Sequence, residues 1–151
     1  PLSTVTSFYF LIAIFSFYLA FAGLQFGRNK SGNPGPLDWV AVLLMIASGP
    51  AMWALASLYF VNDDSQYITL LLFGSLAIFL GYGDYKSHRD KLAVGKERIA
   101  RHLTNMLGGT IAVITAALVV NAPPGPKWIW WILPTLIITP LIIRWNRKTL
   151  N

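Results

Sequence analysis

A chain of 151 residues is long enough for one well-packed domain, but 55% of it is hydrophobic and only 12% charged, roughly half the charge a soluble domain carries. A water-facing coat is therefore excluded, and the composition describes an integral membrane protein. The net charge of +6 sits at the ends of apolar runs, the pattern of membrane orientation rather than of a nucleic-acid surface. Zero cysteines exclude disulfides, thiolate metal sites and cysteine nucleophiles.

The expected fold is all-α, a transmembrane helical bundle of five spans forming a single domain over 1–151. A helix crossing ~30 Å of hydrocarbon needs about 20 residues, and segments 2–26, 37–60, 67–82, 99–120 and 127–145 meet that need. The opening stretch "PLSTVTSFYFLIAIFSFYLAFAGLQFG" lacks the basic start and small-residue cleavage site of a signal peptide. Because it begins at Pro1, the expectation is that further spans precede it. "GRNKSGNPGPLD" is turn chemistry, and Pro36 with Asp38 starts the second helix. Inside that helix lies "IASGPAMWALAS", where Ser48, Gly49, Ala51 and Ala54 permit close approach and Pro50 removes a backbone hydrogen bond. "VNDDSQ" supplies Asp63, Asp64 and Ser65 as N-cap candidates for the third span.

The fourth span, "RIARHLTNMLGGTIAVITAALVVN", places Ala100, Thr104, Gly108, Ala112 and Ala116 four residues apart. Such a stripe lets a second helix approach closely, either in a dimer or within the chain. The small cluster around Gly49 and Pro50 is its expected partner or the far wall of a shared cavity. "NAPPGPK" ends this helix, with Asn121 as its cap. The fifth span opens on Trp128, Trp130 and Trp131 and closes on Trp145, as interfacial anchors do, with Pro134 and Pro140 expected to kink it.

Charge orients the five spans. Eleven of the twelve basic residues fall on one side and Lys127 alone on the other. The positive-inside rule makes that side cytoplasmic and the N-terminus external. A multi-pass protein of the bacterial inner membrane is the resulting expectation, with membrane lipids as partners, other membrane subunits as further candidates, and no nucleic acid.

Candidate ligand-binding residues gather at the start of the fourth span: Arg98, Arg101, His102, Asn105 and Met106. The plainer reading is a wet helix end with cations snorkelling to headgroups. The sharper one notes that Arg98, His102 and Asn105 share a helical face. Turned inward, that face would make a cationic, hydrogen-bonding pocket for a lipid phosphate or a quinone carbonyl. His102 with Met106 is also a haem ligand pair by type. One turn apart on one helix they cannot take opposite faces of the ring, so a second helix would have to contribute. The other histidine, His88, falls in a charged loop, and all six acids are assigned to loops or helix ends. A proton pump or cation-coupled transporter, which needs a buried acid, is thereby disfavoured. No catalytic residue and no metal site stands out.

The segments "FYFLIAIFSFYLAFAGLQ", "LDWVAVLLMIASGP", the fourth span and "WWILPTLIITPLIIRWNRK" together resemble bacterial membrane proteins of the domain-of-unknown-function 2306 type. The carrying residues are His102, Met106-Leu107-Gly108, Asn121 and Leu133-Pro134-Thr135. The resemblance implies a C-terminal part of a longer helical membrane protein, preceded by further spans and a histidine–arginine–glycine segment. It implies no activity. The functional expectation is a non-catalytic bundle, acting as accessory subunit of a membrane complex or binding a lipid- or quinone-like ligand. The alternative is a haem-binding or redox membrane protein.

Overall fold

A computed structural model describes residues 3–151, and the described chain is five helices joined by short connections: α1 (Thr4–Arg28), α2 (Pro36–Val61), α3 (Tyr67–Arg89), α4 (Gly95–Asn121) and α5 (Trp128–Leu150). All five are long and apolar enough to cross a membrane, so this is a multi-pass helical protein. Ser3 caps α1, its hydroxyl accepting from the Thr6 amide at 3.1 Å. At the start of α2 the Asp38 carboxylate accepts from the Gly35 amide at 2.7 Å, with Pro36 in the first turn where its missing N–H costs nothing. Helices α2 and α5 run through Pro50, Pro134 and Pro140 without interruption.

With five consecutive spans, connections 29–35 and 90–94 and the C-terminus share one end, here called the basic end. Gly32, at φ +74°, lies against Val94 there, where an added Cβ would come within 2.7 Å of that side chain. It ties the two connections together with a backbone conformation that favours glycine.

Helix α1 is central, packed between α2 and α4; α3 covers α2, and α5 covers α4 and touches α3. The core is aromatic at the end opposite the basic one. Phe8 meets Trp131 edge-on at 5.2 Å between centroids, and Phe15 meets Phe73 at 5.1 Å. Trp131, expected as an interfacial anchor, is instead buried between α1 and α3. One face of α5 must enter the bundle, and Trp131, Pro134 and Ile142 are the residues on it.

The two small-residue clusters are not each other's partners. Gly49 of α2 faces α3, where a Cβ would lie 2.8 Å from the Gly74 carbonyl oxygen, and Gly74 faces Gly49 reciprocally at 2.9 Å. Pro50 points away from the bundle. On α4, Gly108 receives Leu19 of α1, with Cβ space of 3.3 Å, Ala112 is half-buried and Ala116 is exposed. Four-residue steps advance roughly 400°, so Ala100 and Ala116 are about 160° apart around the helix. The stripe winds off the contact.

Candidate functional site: a polar cluster and a groove at the basic end

The third helix continues seven residues past its expected end, because the polar run Tyr82–Arg89 remains helical with Asp84, Ser87 and His88 turned inward. Lys86, His88 and Arg89 in its last turn also complement the helix dipole. His88 is therefore a buried helical residue and not a loop one. Its ring stacks on Phe26 at 5.3 Å and meets the edge of Trp39 at 5.8 Å. The expectation that every acid lies in a loop or at a helix end fails at Asp84, inside α3, while Asp38, at the start of α2 as expected, is buried all the same. Asp84 is only 2% exposed and Asp38 5%.

A buried carboxylate must be hydrogen-bonded to persist, and both are; Asp84 is also paired with a cation. The Tyr18 hydroxyl of α1 donates to Asp84 Oδ2 at 2.5 Å, and Arg101 Nη1 of α4 reaches Oδ1 at 3.3 Å. Arg101 Nε also lies 3.4 Å from Glu97 Oε1 one turn earlier. Gly83 clears the way, since a Cβ there would stand 3.0 Å from Arg101 Nη1. Asp38 accepts from Gln25 Nε2 of α1 at 3.1 Å in addition to the Gly35 amide. Between Asp38, His88 and Gln25 lie two cavities of about 10 Å³ each, room for one water apiece.

The five residues singled out on the fourth span divide between two neighbours. Arg98 Nη1 donates to the Phe26 and Gly27 carbonyls of α1 at 2.9 and 2.8 Å, satisfying acceptors that a helix C-terminus leaves open. His102 Nδ1 is hydrogen-bonded to the Gly23 carbonyl at 2.7 Å. The His102 ring and Met106 sulfur occupy the notches over Gly27 and Gly23, where a Cβ would stand 2.9 and 2.7 Å from them. This Gly23-x-x-x-Gly27 pair is the small-residue motif of α1, the geometry that lets helices approach closely in a membrane. Arg101 and Asn105 turn instead toward Asp84. Asn105, 2% exposed, donates Nδ2 to the Arg101 carbonyl at 3.0 Å, and its Oδ1 lacks a donor among the described residues, as Ser87 Oγ lacks a partner.

Beyond Arg101 the bundle opens. Helices α3 and α4 make no close backbone contact among the described residues. The space between them, closed behind by α5, is a groove of about 430 Å³. Its polar lining is Lys86, Glu97, Arg101, Thr104 and Asn146, and its apolar walls include Phe79, Leu80 and Leu150. Thr104 accepts from Asn146 Nδ2 at 2.7 Å.

Sequence reading missed Asp84, Lys86, Glu97 and Asn146. For Asp84 a signal existed: Leu70, Phe73, Ala77, Gly81, Asp84 and His88 recur at three- and four-residue steps, which puts the acid on the apolar face of α3. Asn146 offered none, as α5 is apolar on almost every side.

Fold and site together define a multi-pass helical membrane protein with a buried charge cluster at one end and an amphipathic groove beside it. The chain matches no family model, no curated protein and no solved structure. Its chemistry is therefore read from the groove and the cluster themselves.

Proposed function

We propose that this protein binds a membrane amphiphile, with the polar head between Lys86, Arg101 and Asn146 and the tail along Phe79, Leu80 and Leu150. The groove carries this reading: its volume of about 430 Å³ falls in the range of small-molecule sites, and it joins cations to an apolar wall at one bundle end. The Asp84–Arg101–Tyr18 cluster is the rigid support. It holds the guanidinium at the groove's inner edge and keeps α3 and α4 at a fixed separation. In this reading the bundle is non-catalytic and sits in a bacterial inner membrane with its basic end cytoplasmic, an orientation the eleven-to-one split of basic residues supports.

The groove reading is tested by native mass spectrometry of the freshly solubilised protein. One lipid-sized adduct should survive delipidation, be lost from Thr104→Phe, which fills the groove, and survive in Leu136→Phe, on a lipid-facing surface. An equal adduct on Thr104→Phe overturns the reading. A haem absorption band in the purified protein overturns it in favour of the redox alternative. Orientation is read with single cysteines at Asn33 and Asp64, both exposed. Labelling from opposite faces of intact cells, Asp64 from outside, is expected; labelling of Asn33 from outside contradicts it.

A further inference from the structure

Helix α5 is the outermost of the five, with the smallest share of its span buried inside the bundle. Its inner side meets α4 and touches α3, and Asn146 and Leu150 on that side line the groove. A different face carries Leu133, Ile137, Pro140, Arg144, Arg147 and Lys148, all exposed. At about 100° per residue these six lie within roughly 100° of one another around the helix. They form one stripe, apolar in its first half and basic after it. From Leu133 to Arg144 the helix rises roughly 16 Å, close to half of the ~30 Å hydrocarbon core. That is the depth of one leaflet, with the cations at its headgroup level.

The protein does not neutralise the basic half. None of Arg144, Arg147 and Lys148 enters an ion pair among the described residues, and they line one shallow hollow with no acid in it. All six acids are accounted for elsewhere. Asp84 and Glu97 meet Arg101, and Asp90 pairs with Arg89. Asp38 starts α2, while Asp63 and Asp64 lie at the opposite end, between α2 and α3. Asn151 lines the same hollow. Even with its carboxylate and the roughly half negative charge of a helix C-terminus counted, the patch keeps more than one positive charge.

The apolar half narrows what can cover this face. Leu133, Ile137 and Pro140 offer no small-residue notch for another helix, whereas flexible acyl chains need none. A second copy in the same orientation would bring its own three cations to the same depth. We infer that this face of α5 binds an anionic phospholipid carrying two phosphodiesters. Its chains lie along Leu133, Ile137 and Pro140, and its phosphates meet Arg144, Arg147 and Lys148. One phosphodiester carries a single negative charge and leaves part of the patch unmet. A zwitterionic phospholipid has no net charge to offer it. The site is separate from the groove and does not depend on it.

Because the stripe is exposed, its lipid exchanges with detergent, so the experiment adds lipid back to the delipidated full chain and counts adducts by native mass spectrometry. The probes are tetraoleoyl diphosphatidylglycerol, dioleoyl phosphatidylglycerol and dioleoyl phosphatidylcholine at matched acyl-chain concentration, on the parent and on Thr104→Phe. On both proteins the two-phosphate lipid should bind about fivefold tighter than phosphatidylglycerol, the worth of one further cation met. Combining Arg144→Gln, Arg147→Gln and Lys148→Gln should erase that preference. Combining Arg28→Gln, Lys30→Gln and Lys91→Gln removes the same charge from exposed positions at the same end and should keep it. Equal loss in the two triple variants overturns the site in favour of a general attraction to the basic end. Equal affinity for the two anionic lipids overturns the two-phosphate assignment. Anionic lipids that bind no better than phosphatidylcholine overturn the lipid as occupant and leave the face to an acidic partner subunit. A preference seen on the parent and absent from Thr104→Phe belongs to the groove and overturns the α5 site. An adduct of the groove that persists in Thr104→Phe sinks the groove reading alone.

Discussion

Helix α3 has two seams, and they are built in opposite ways. Against α2 it closes through Gly49 and Gly74, whose backbones meet with no room for a methyl group. Against α4 the helices stand apart, and Arg101 reaches across to Asp84 over the bare backbone of Gly83. One seam is dry and rigid because glycines let backbones touch. The other is held by a charged clasp, and the separation the clasp maintains is the groove. Where a membrane bundle keeps two helices apart with a buried ion pair, the space beside that pair is open to a ligand.

The largest effect should come from breaking the clasp. Asp84→Ala leaves the Tyr18 hydroxyl without its acceptor and Arg101 with Glu97 alone; loss of one partner of a buried pair typically costs about 3–5 kcal/mol, and the lower end applies here because Arg101 is partly exposed. The double variant Asp84→Leu with Arg101→Leu should recover much of that, measured by denaturation in mixed micelles. If the double variant is as unstable as the single, charge pairing is not what holds this seam. Next in size is Gly74→Leu, which forces side-chain atoms into the Gly49 carbonyl. Overpacking of this kind costs about 1–3 kcal/mol, and a melt equal to the parent's would show the dry seam to be looser than described.

Tyr18→Phe removes a single hydrogen bond to a charged acceptor, worth about 1.5–3 kcal/mol. It should destabilise the protein without loss of the bound lipid-sized adduct, since Tyr18 reaches Asp84 from the α1 side. A lost adduct would mean that Tyr18 acts on the groove itself. The smallest effect belongs to the α4 stripe. Ala116→Leu, exposed to lipid, should melt within about 0.5 kcal/mol of the parent. Gly108→Leu, against Leu19, should fall clearly below it. Equal loss in both would restore the stripe as a continuous contact.

The five spans were legible because apolar runs of this length have few alternatives in water or lipid. What escaped was the internal face of each helix. The polar end of α3 read as a loop because its charges were counted before its period; counted by period, Asp84 and His88 continue the line of Leu70, Phe73 and Ala77. The small residues of α4 drew attention to a four-residue spacing that cannot stay on one face, while Gly23 and Gly27, only one step long, carry the real α1–α4 contact. That Arg98, His102 and Asn105 share a helical face was legible, but not that Arg98 and His102 turn inward. That they meet backbone carbonyls of α1 rather than a ligand depends on where α1 ends, a tertiary fact no local pattern holds. Trp131 looked like its neighbours Trp128 and Trp130, and only the rotation of α5 separates it from them.

The central claim is that the polar head of a membrane amphiphile sits between α3 and the α4–α5 pair. A zwitterionic phospholipid analogue with a photoactivatable headgroup, incorporated into membranes containing the protein, tests it most directly through peptide mapping of the crosslinks. The account predicts labelling concentrated on peptides containing Lys86 and Asn146, and lost from both in Thr104→Phe. Labelling spread over basic-end residues outside the groove, such as Arg28 and Leu37, and unchanged in Thr104→Phe would contradict it.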